Sequence, residues 1–229
     1  MHGIALIVIL TLAYTVFATR ASIASTKAEL DKRSQPLRDN ALAQHFSSMA
    51  AALELPHIPV NIYDVDQVNG LAAPDGRIFI TRGFYQKFKS GAFTADELAS
   101  GVAHELGHVA LGHSKRRMIS FGVAQAMQTG GALVLSRFIP FVGPMIVGAI
   151  ASMLTARLSR SDEYEADEYA TALLIKSGVG TACQKTLFHK LDRMTAAHGS
   201  GPPAWLRSHP PSEERIAAIE ANEARWGAS

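Results

Sequence analysis

Cysteine is almost absent, with Cys183 the only one in 229 residues. A lone thiol excludes an internal disulfide framework and any zinc cluster built from cysteines. Charge is scarce as well. Charged side chains make up 18% of the chain against 48% hydrophobic ones, so it can bury a core and lacks the composition of a disordered polypeptide. Twenty-two Lys and Arg nearly cancel twenty Asp and Glu, leaving +2, and no basic tract marks a nucleic-acid footprint. Internal repeats and low-complexity tails are missing too. Histidine is what the chain has in quantity, nine in all. Any bound metal must therefore be held by His and carboxylates. The length suits one ordinary domain plus an appendage.

That appendage is legible at the start. Met1–Thr19 carries no charged side chain and is densely apolar. As a helix it would be about 28 Å long, near the thickness of a hydrocarbon core. Residues 1–20 thus read as an uncleaved single-pass anchor. The competing reading is a cleaved secretory signal, with Ala21 and Ala24 small enough to flank a cleavage site. Arg20, Lys27, Lys32 and Arg33 follow the apolar run, so the positive-inside bias favours a cytoplasmic location for the domain that follows. A cleaved signal would place it outside the cytoplasm instead.

Residues 21–229 read as one domain. A polar, then amphipathic helical stretch covers residues 20–54 and ends at Pro56 and Pro59. Three short β-like runs follow, Val60–Val65, Val68–Ala72 and Arg77–Thr81, with Pro74, Asp75 and Gly76 as a turn. Thr94 and Glu97 form a capping box that launches a helix through Leu98, Val102, Leu106 and Val109. From Met118 to Ala156 the only charge is Arg137, and Phe138–Ala156 is long enough to be a second span. The preferred reading of 118–156 is a pair of buried or membrane-contacting helices broken at prolines. Helical pattern resumes after Ser159 and runs to Lys176, then from about Thr181 to His198. A last helix opens at Ser212 and runs to about Arg225.

Chemistry concentrates in His104-Glu105-Leu106-Gly107-His108, an H-E-x-x-H motif. On a helix, positions i and i+4 share a face, so both imidazoles can reach one ion. Glu105 lies about 100° round the helix and can address a water molecule without being a ligand. A catalytic zinc needs a third protein ligand and one open position. Glu163, Glu165, Asp167, Glu168, His189, His198 and His209 are the downstream candidates. Glu163 and Asp167 stand at i and i+4 and can work as a unit, one binding the metal and the other accepting an N–H from a ligating His. His113 reads as an ordinary helix-end histidine favoured by a C-terminal dipole.

The motif, the hydrophobic stretch after it and Ser159-Arg160-Ser161-Asp162-Glu163-Tyr164-Glu165-Ala166-Asp167 together resemble the gluzincin metalloendopeptidases of the HtpX and CAAX prenyl protease type, metallopeptidase family 48. Upstream, Val68–Ala72 and Gly76–Gly83 resemble the segment before the metal helix in that family. Downstream, Ser208–Ile216 resembles its His-Pro…Arg segment. The departures are Gly70, where the family often has Ala, and Asp162, where Arg is common. The resemblance implies an α+β, mostly helical zincin-type domain, with a three-stranded sheet packed by the metal-site helices. It implies one zinc per chain on His104, His108 and Glu163. Glu105 would be general base, Asp167 would support a ligating histidine, His209 would donate to the transition state, and Arg215 would be a structural or oxyanion-supporting partner. By the same analogy a polypeptide substrate lies along an exposed strand edge, with Arg77, Ile78, Phe79, Ile80 and Thr81 as that strand and Asn69 on its neighbour.

The expected activity is peptide-bond hydrolysis at a membrane, with protein quality control as one role. The contrasting class is a metal-binding scaffold or chaperone-like adaptor that has lost catalysis. An intramembrane protease fits poorly, because Asp96, Glu97, Lys115, Arg116 and Arg117 flank the motif.

Overall fold

The computed structural model describes residues 2–73, 75–137, 139, 142–197 and 212–226. The described chain runs α1 (His2–Arg33), β1 (Ser34–Pro36), α2 (Asn40–Ala52), β2 (Val60–Tyr63), β3 (Gly70–Ala72), β4 (Ile78–Thr81), α3 (Arg82–Lys89), α4 (Ala95–Ala110), α5 (His113–Leu135), α6 (Val142–Lys176), α7 (Ala182–Ala197) and α8 (Ser212–Trp226). It divides into two compact units.

The first unit comprises Met1–Glu29 and Gly112–Ser161. It is helical: most of α1, all of α5 and the first part of α6. Small Ala124 and Ala151 are buried, while Leu6, Ile9, Leu10, Tyr14, Phe17, Ile119, Met145, Ile150 and Met153 are exposed. Among the described residues no helix is long and apolar enough to cross a membrane. The expected helical restart after Ser159 does not occur, because α6 is continuous from Val142 to Lys176. Pro144 sits in its first turn, where a missing N–H costs the helix no hydrogen bond.

The second unit, Leu30–Leu111 and Asp162–Ser229, holds the sheet and the H-E-x-x-H helix. Among the described residues the sheet has four strands rather than three, in the order β1-β2-β4-β3. β1 pairs antiparallel with β2, β2 parallel with β4, and β3 antiparallel with β4. β1 escapes sequence reading because Ser34-Gln35-Pro36 shows no apolar alternation, and its proline is tolerated only on an edge strand.

β4 is buried along its whole length, because the sheet is covered on both faces. Ile78 and Ile80 join the main core with Leu98, Val102 and Leu106 of α4, Leu173 and Leu174 of α6, and Leu187 and Phe188 of α7. Phe79 points the other way, against Leu30 and Ala73. The alternation is that of a strand whose successive side chains face opposite sides.

α4 carries the site and is fixed at its start. Thr94 accepts from the Glu97 N–H at 3.2 Å, and Glu97 accepts from the Thr94 N–H at 2.8 Å, completing the expected capping box. Lys190 on α7 donates to the same Glu97 carboxylate at 2.8 Å. Midway along, Gly107 lets α6 come close. A Cβ built there would stand 2.9 Å from the Ala166 carbonyl oxygen and 3.0 Å from its Cα, so any side chain would force the helices apart. That contact brings Glu163 and Asp167, on either side of Ala166, to the motif.

Candidate metal centre

Three buried side chains converge. His104 and His108 bring their Nε2 atoms within 3.1 Å of each other. Glu163 lies across from both, Oε2 at 3.4 Å from His104 Nε2 and Oε1 at 3.5 Å from His108 Nε2. One ligand atom from each residue falls within 4.8 Å of the others. Two neutral-capable imidazoles and one carboxylate form a donor set suited to zinc.

The support behind His104 decides which nitrogen faces this cluster. His104 Nδ1 lies 2.9 Å from Asp167 Oδ1. Arg215 holds the same carboxylate through Nε to Oδ2 and Nη2 to Oδ1, each at 2.7 Å. Arg215 is fully buried, and its guanidinium lies over the Phe188 ring, 4.2 Å from the centroid. Burial pushes the Asp167 carboxyl up, but the Arg215 charge and hydrogen bonds, with those from His104, outweigh it and hold the group below its ordinary value. An ionised carboxylate only accepts, so His104 must donate from Nδ1, which leaves Nε2 as the atom that meets a metal.

In the metal-free chain His104 itself titrates high. Burial pulls its pKa down, yet the hydrogen bonds to Asp167 and Glu163 and the Asp167 charge win, pushing it up to about 9. Arg215 tempers that rise.

Glu105 is buried too, one position along α4, and its carboxylate lies outside the three-residue cluster. Cys183 offers no alternative nucleophile, since burial, aided by the Asp96 charge, pushes its thiol up to about 12.

Not every expected residue falls into place. Ile78–Thr81 is not an exposed edge: β4 pairs with β2 on one side and β3 on the other. The strands at the two ends of the described sheet are β1 and β3. Arg77 is engaged by Asp31 at 2.7 Å and Asp75 at 2.8 Å. Thr81 is occupied in the frame, its hydroxyl accepting from the Asn69 N–H at 3.0 Å and donating to the Asn69 carbonyl at 3.1 Å. His113 opens α5 rather than closing a helix, and it is buried. His209 lies outside the described residues, as does His198.

Sequence reading missed Phe188 and the buried pair Thr171 and Gln184. The Asp167 carbonyl accepts from Thr171 Oγ1 at 2.7 Å and from Gln184 Nε2 at 3.3 Å. Neither carried a local motif that could have flagged it.

A profile of Peptidase family M48 matches residues 36–223. The chain belongs to this family. It is similar to the metalloprotease YcaL of Escherichia coli K12, at 31% identity over 203 residues, covering 84% of this chain and 74% of that one. Metalloprotease LoiP of the same organism is 29% identical over 208 residues, covering 88% and 73%. Protease HtpX of Pseudomonas putida GB-1 is 27% identical over 207 residues, covering 75% and 67%. As an M48 member the chain is a zinc-dependent metalloprotease, and its buried His, His and Glu form a group able to hold the metal.

Proposed function

We propose that the chain is a membrane-associated zinc metalloendopeptidase that cleaves peptide bonds in proteins. One zinc per chain is held by His104, His108 and Glu163. The observation that carries this reading is the Arg215–Asp167–His104 relay, which turns His104 Nε2 toward Glu163 and His108.

When bound, the ion supplies Lewis acidity, polarising a carbonyl oxygen and making water acidic enough to react near neutrality. Glu105 would take a proton from the attacking water and hand it to the leaving amine. His209, in the segment before α8, donates to the developing oxyanion. Arg215 serves the site by fixing Asp167. The substrate backbone adds to the sheet at β3, with Asn69 at its entry, because β3 is an end strand and the one that packs beside α4.

Attachment to the membrane is by the apolar start of α1, with the exposed apolar side chains of α5 and α6 as a further lipid contact. The positive residues after Thr19 support a cytoplasmic catalytic domain, and quality control of proteins at that membrane is the role this arrangement suits.

The test is Glu105→Gln. It should keep one equivalent of zinc and lose casein cleavage, since the carboxylate is a base and not a ligand. Loss of the metal would move Glu105 into the coordination sphere and overturn the assignment.

A further inference from the structure

The small net charge of the chain conceals a division of sign. The helical unit, Met1–Glu29 and Gly112–Ser161, carries eight Lys and Arg and a single acidic side chain, Glu29. The rest of the chain carries fourteen Lys and Arg against nineteen Asp and Glu. Position matters as much as number. In α1 no Lys, Arg, Asp or Glu precedes Arg20, in α5 none follows Arg117, and in α6 none precedes Arg157. Each helix thus keeps an uncharged, apolar length and gathers its basic residues toward the end where the chain enters or leaves the unit. α1 and α5 meet along those lengths, since a Cβ built on Gly122 would stand 3.7 Å from Thr15 Cγ2. Arg20 and Arg117 each lie five residues, about 7.5 Å of helix, from that contact in the direction of the unit's boundary.

We propose that these basic residues form a collar that docks on a leaflet of anionic phospholipid. This rests on the reading of the chain as membrane-associated and names the lipid chemistry it selects. Each helix pairs a basic side chain with a large apolar one on its own face. Phe17 stands three residues before Arg20, Ile119 four after Lys115, and Met153 four before Arg157. Arg20, Lys115 and Arg157 are exposed, and so are Phe17, Ile119 and Met153, at 70%, 59% and 62%. In all three pairs the apolar member lies on the side of the uncharged length and the cation about one turn nearer the boundary. That order suits a bilayer surface, with the apolar group at the acyl boundary and the cation at the depth of the phosphates. A nucleic acid or an acidic protein would engage the cations but leave the apolar companions in water. The remainder of the chain, with its excess of acidic groups, is disfavoured at the same leaflet, so charge selects which unit meets the lipid.

The experiment dilutes the full chain out of detergent into a mixture of two vesicle populations of different density. One is phosphatidylcholine alone, and the other contains about one-third phosphatidylglycerol. Flotation separates them, and the protein recovered with each is measured. At low salt the anionic vesicles should hold at least about tenfold more, and the preference should shrink as salt rises. One basic side chain within a Debye length of such a leaflet raises partitioning by about fivefold, so Arg157→Gln should lower the preference by about that factor. Adding Arg160→Gln should lower it further. Arg137→Gln is the control of equal charge change. Arg137 follows the far end of α5, and the helix from Arg117 to Leu135 is about 27 Å long, well over a Debye length. That variant should keep the preference within about twofold. Zinc content and casein cleavage should match the parent in all of them, which shows that they are folded. An even distribution of the parent between the two populations would overturn the proposal. So would equal losses from Arg157→Gln and Arg137→Gln, which would reflect net charge and not the collar. Recovery with neither population refutes membrane association itself, whereas binding to both without preference refutes only the collar.

Discussion

Arg215 on α8 grips Asp167 on α6 through both carboxylate oxygens, each at 2.7 Å, with the Phe188 ring behind the guanidinium. All of this is buried, so the pair is set by geometry rather than by solvent-exposed attraction. A fully desolvated ion pair contributes little net stability over apolar packing, yet removing one partner leaves an uncompensated charge. Arg215→Leu should therefore destabilise the metal-free chain by about 3–5 kcal/mol in urea unfolding. Arg215→Lys keeps the charge but loses the planar fork and the stack on Phe188, and its cost should be clearly smaller. Equal costs for the two variants would mean that the fork contributes nothing.

The high titration of His104 gives a pH signature for metal binding. Its pKa of about 9 means that the metal-free imidazole holds a proton across the neutral range, which the incoming ion must displace. Zinc uptake should therefore release about one proton from this group throughout pH 6–8, and apparent affinity should rise by up to about tenfold per pH unit from this group. An unperturbed histidine near 6.5 would have shed nearly all of its proton by pH 8. Calorimetric titration in buffers of different ionisation enthalpy measures the difference. Proton release that fades to a small fraction by pH 8 would contradict the His104–Asp167–Glu163 arrangement.

Parts of this site were readable from sequence for a physical reason: they depend on local periodicity. The i, i+4 pairs His104/His108 and Glu163/Asp167, and the Thr94/Glu97 capping box, each involve residues within one or two helical turns, and all three recur in the structure. What escaped was set between elements. β1 exists only because Ser34–Pro36 finds β2 as a partner. β4 reads as an edge in the sequence because a strand's own pattern does not say how many neighbours it has. Phe188 reaches Arg215 from another helix, at a separation no spacing rule encodes.

Gly107 tests whether close helix packing, and not the motif alone, assembles the centre. In Gly107→Ala the new methyl would face the Ala166 backbone at 2.9–3.0 Å, which unlike a flexible side-chain end cannot turn away. α4 and α6 must separate or bend, at a cost of about 1–3 kcal/mol for overpacking. Because Glu163 and Asp167 flank Ala166, zinc affinity should fall together with stability. A variant that melts lower but binds zinc like the parent would show that the carboxylates follow the histidines without needing this contact.

The last prediction separates a ligand from its support. Glu163 faces both Nε2 atoms, whereas Asp167 touches only Nδ1 on the far side of the His104 ring. Glu163→Ala removes one of three donors, and zinc should be lost during dialysis at neutral pH. Asp167→Asn keeps the shape but not the charge. The amide can still accept from His104, yet it no longer neutralises Arg215, and an NH₂ group must face one of the two donors. Loss of such support behind a metal-bound histidine typically weakens metal affinity by about 10–100-fold. Asp167→Asn should thus bind zinc detectably but more weakly than the parent. It should also lower the His104 pKa, because Asp167 provides the foremost of the influences that raise it. Proton release on zinc uptake at pH 8 would shrink accordingly, while at pH 6 it would change less. If Asp167→Asn instead loses zinc as completely as Glu163→Ala, Asp167 belongs among the ligands. If it binds zinc with parental affinity, the contact with His104 does not orient the ring.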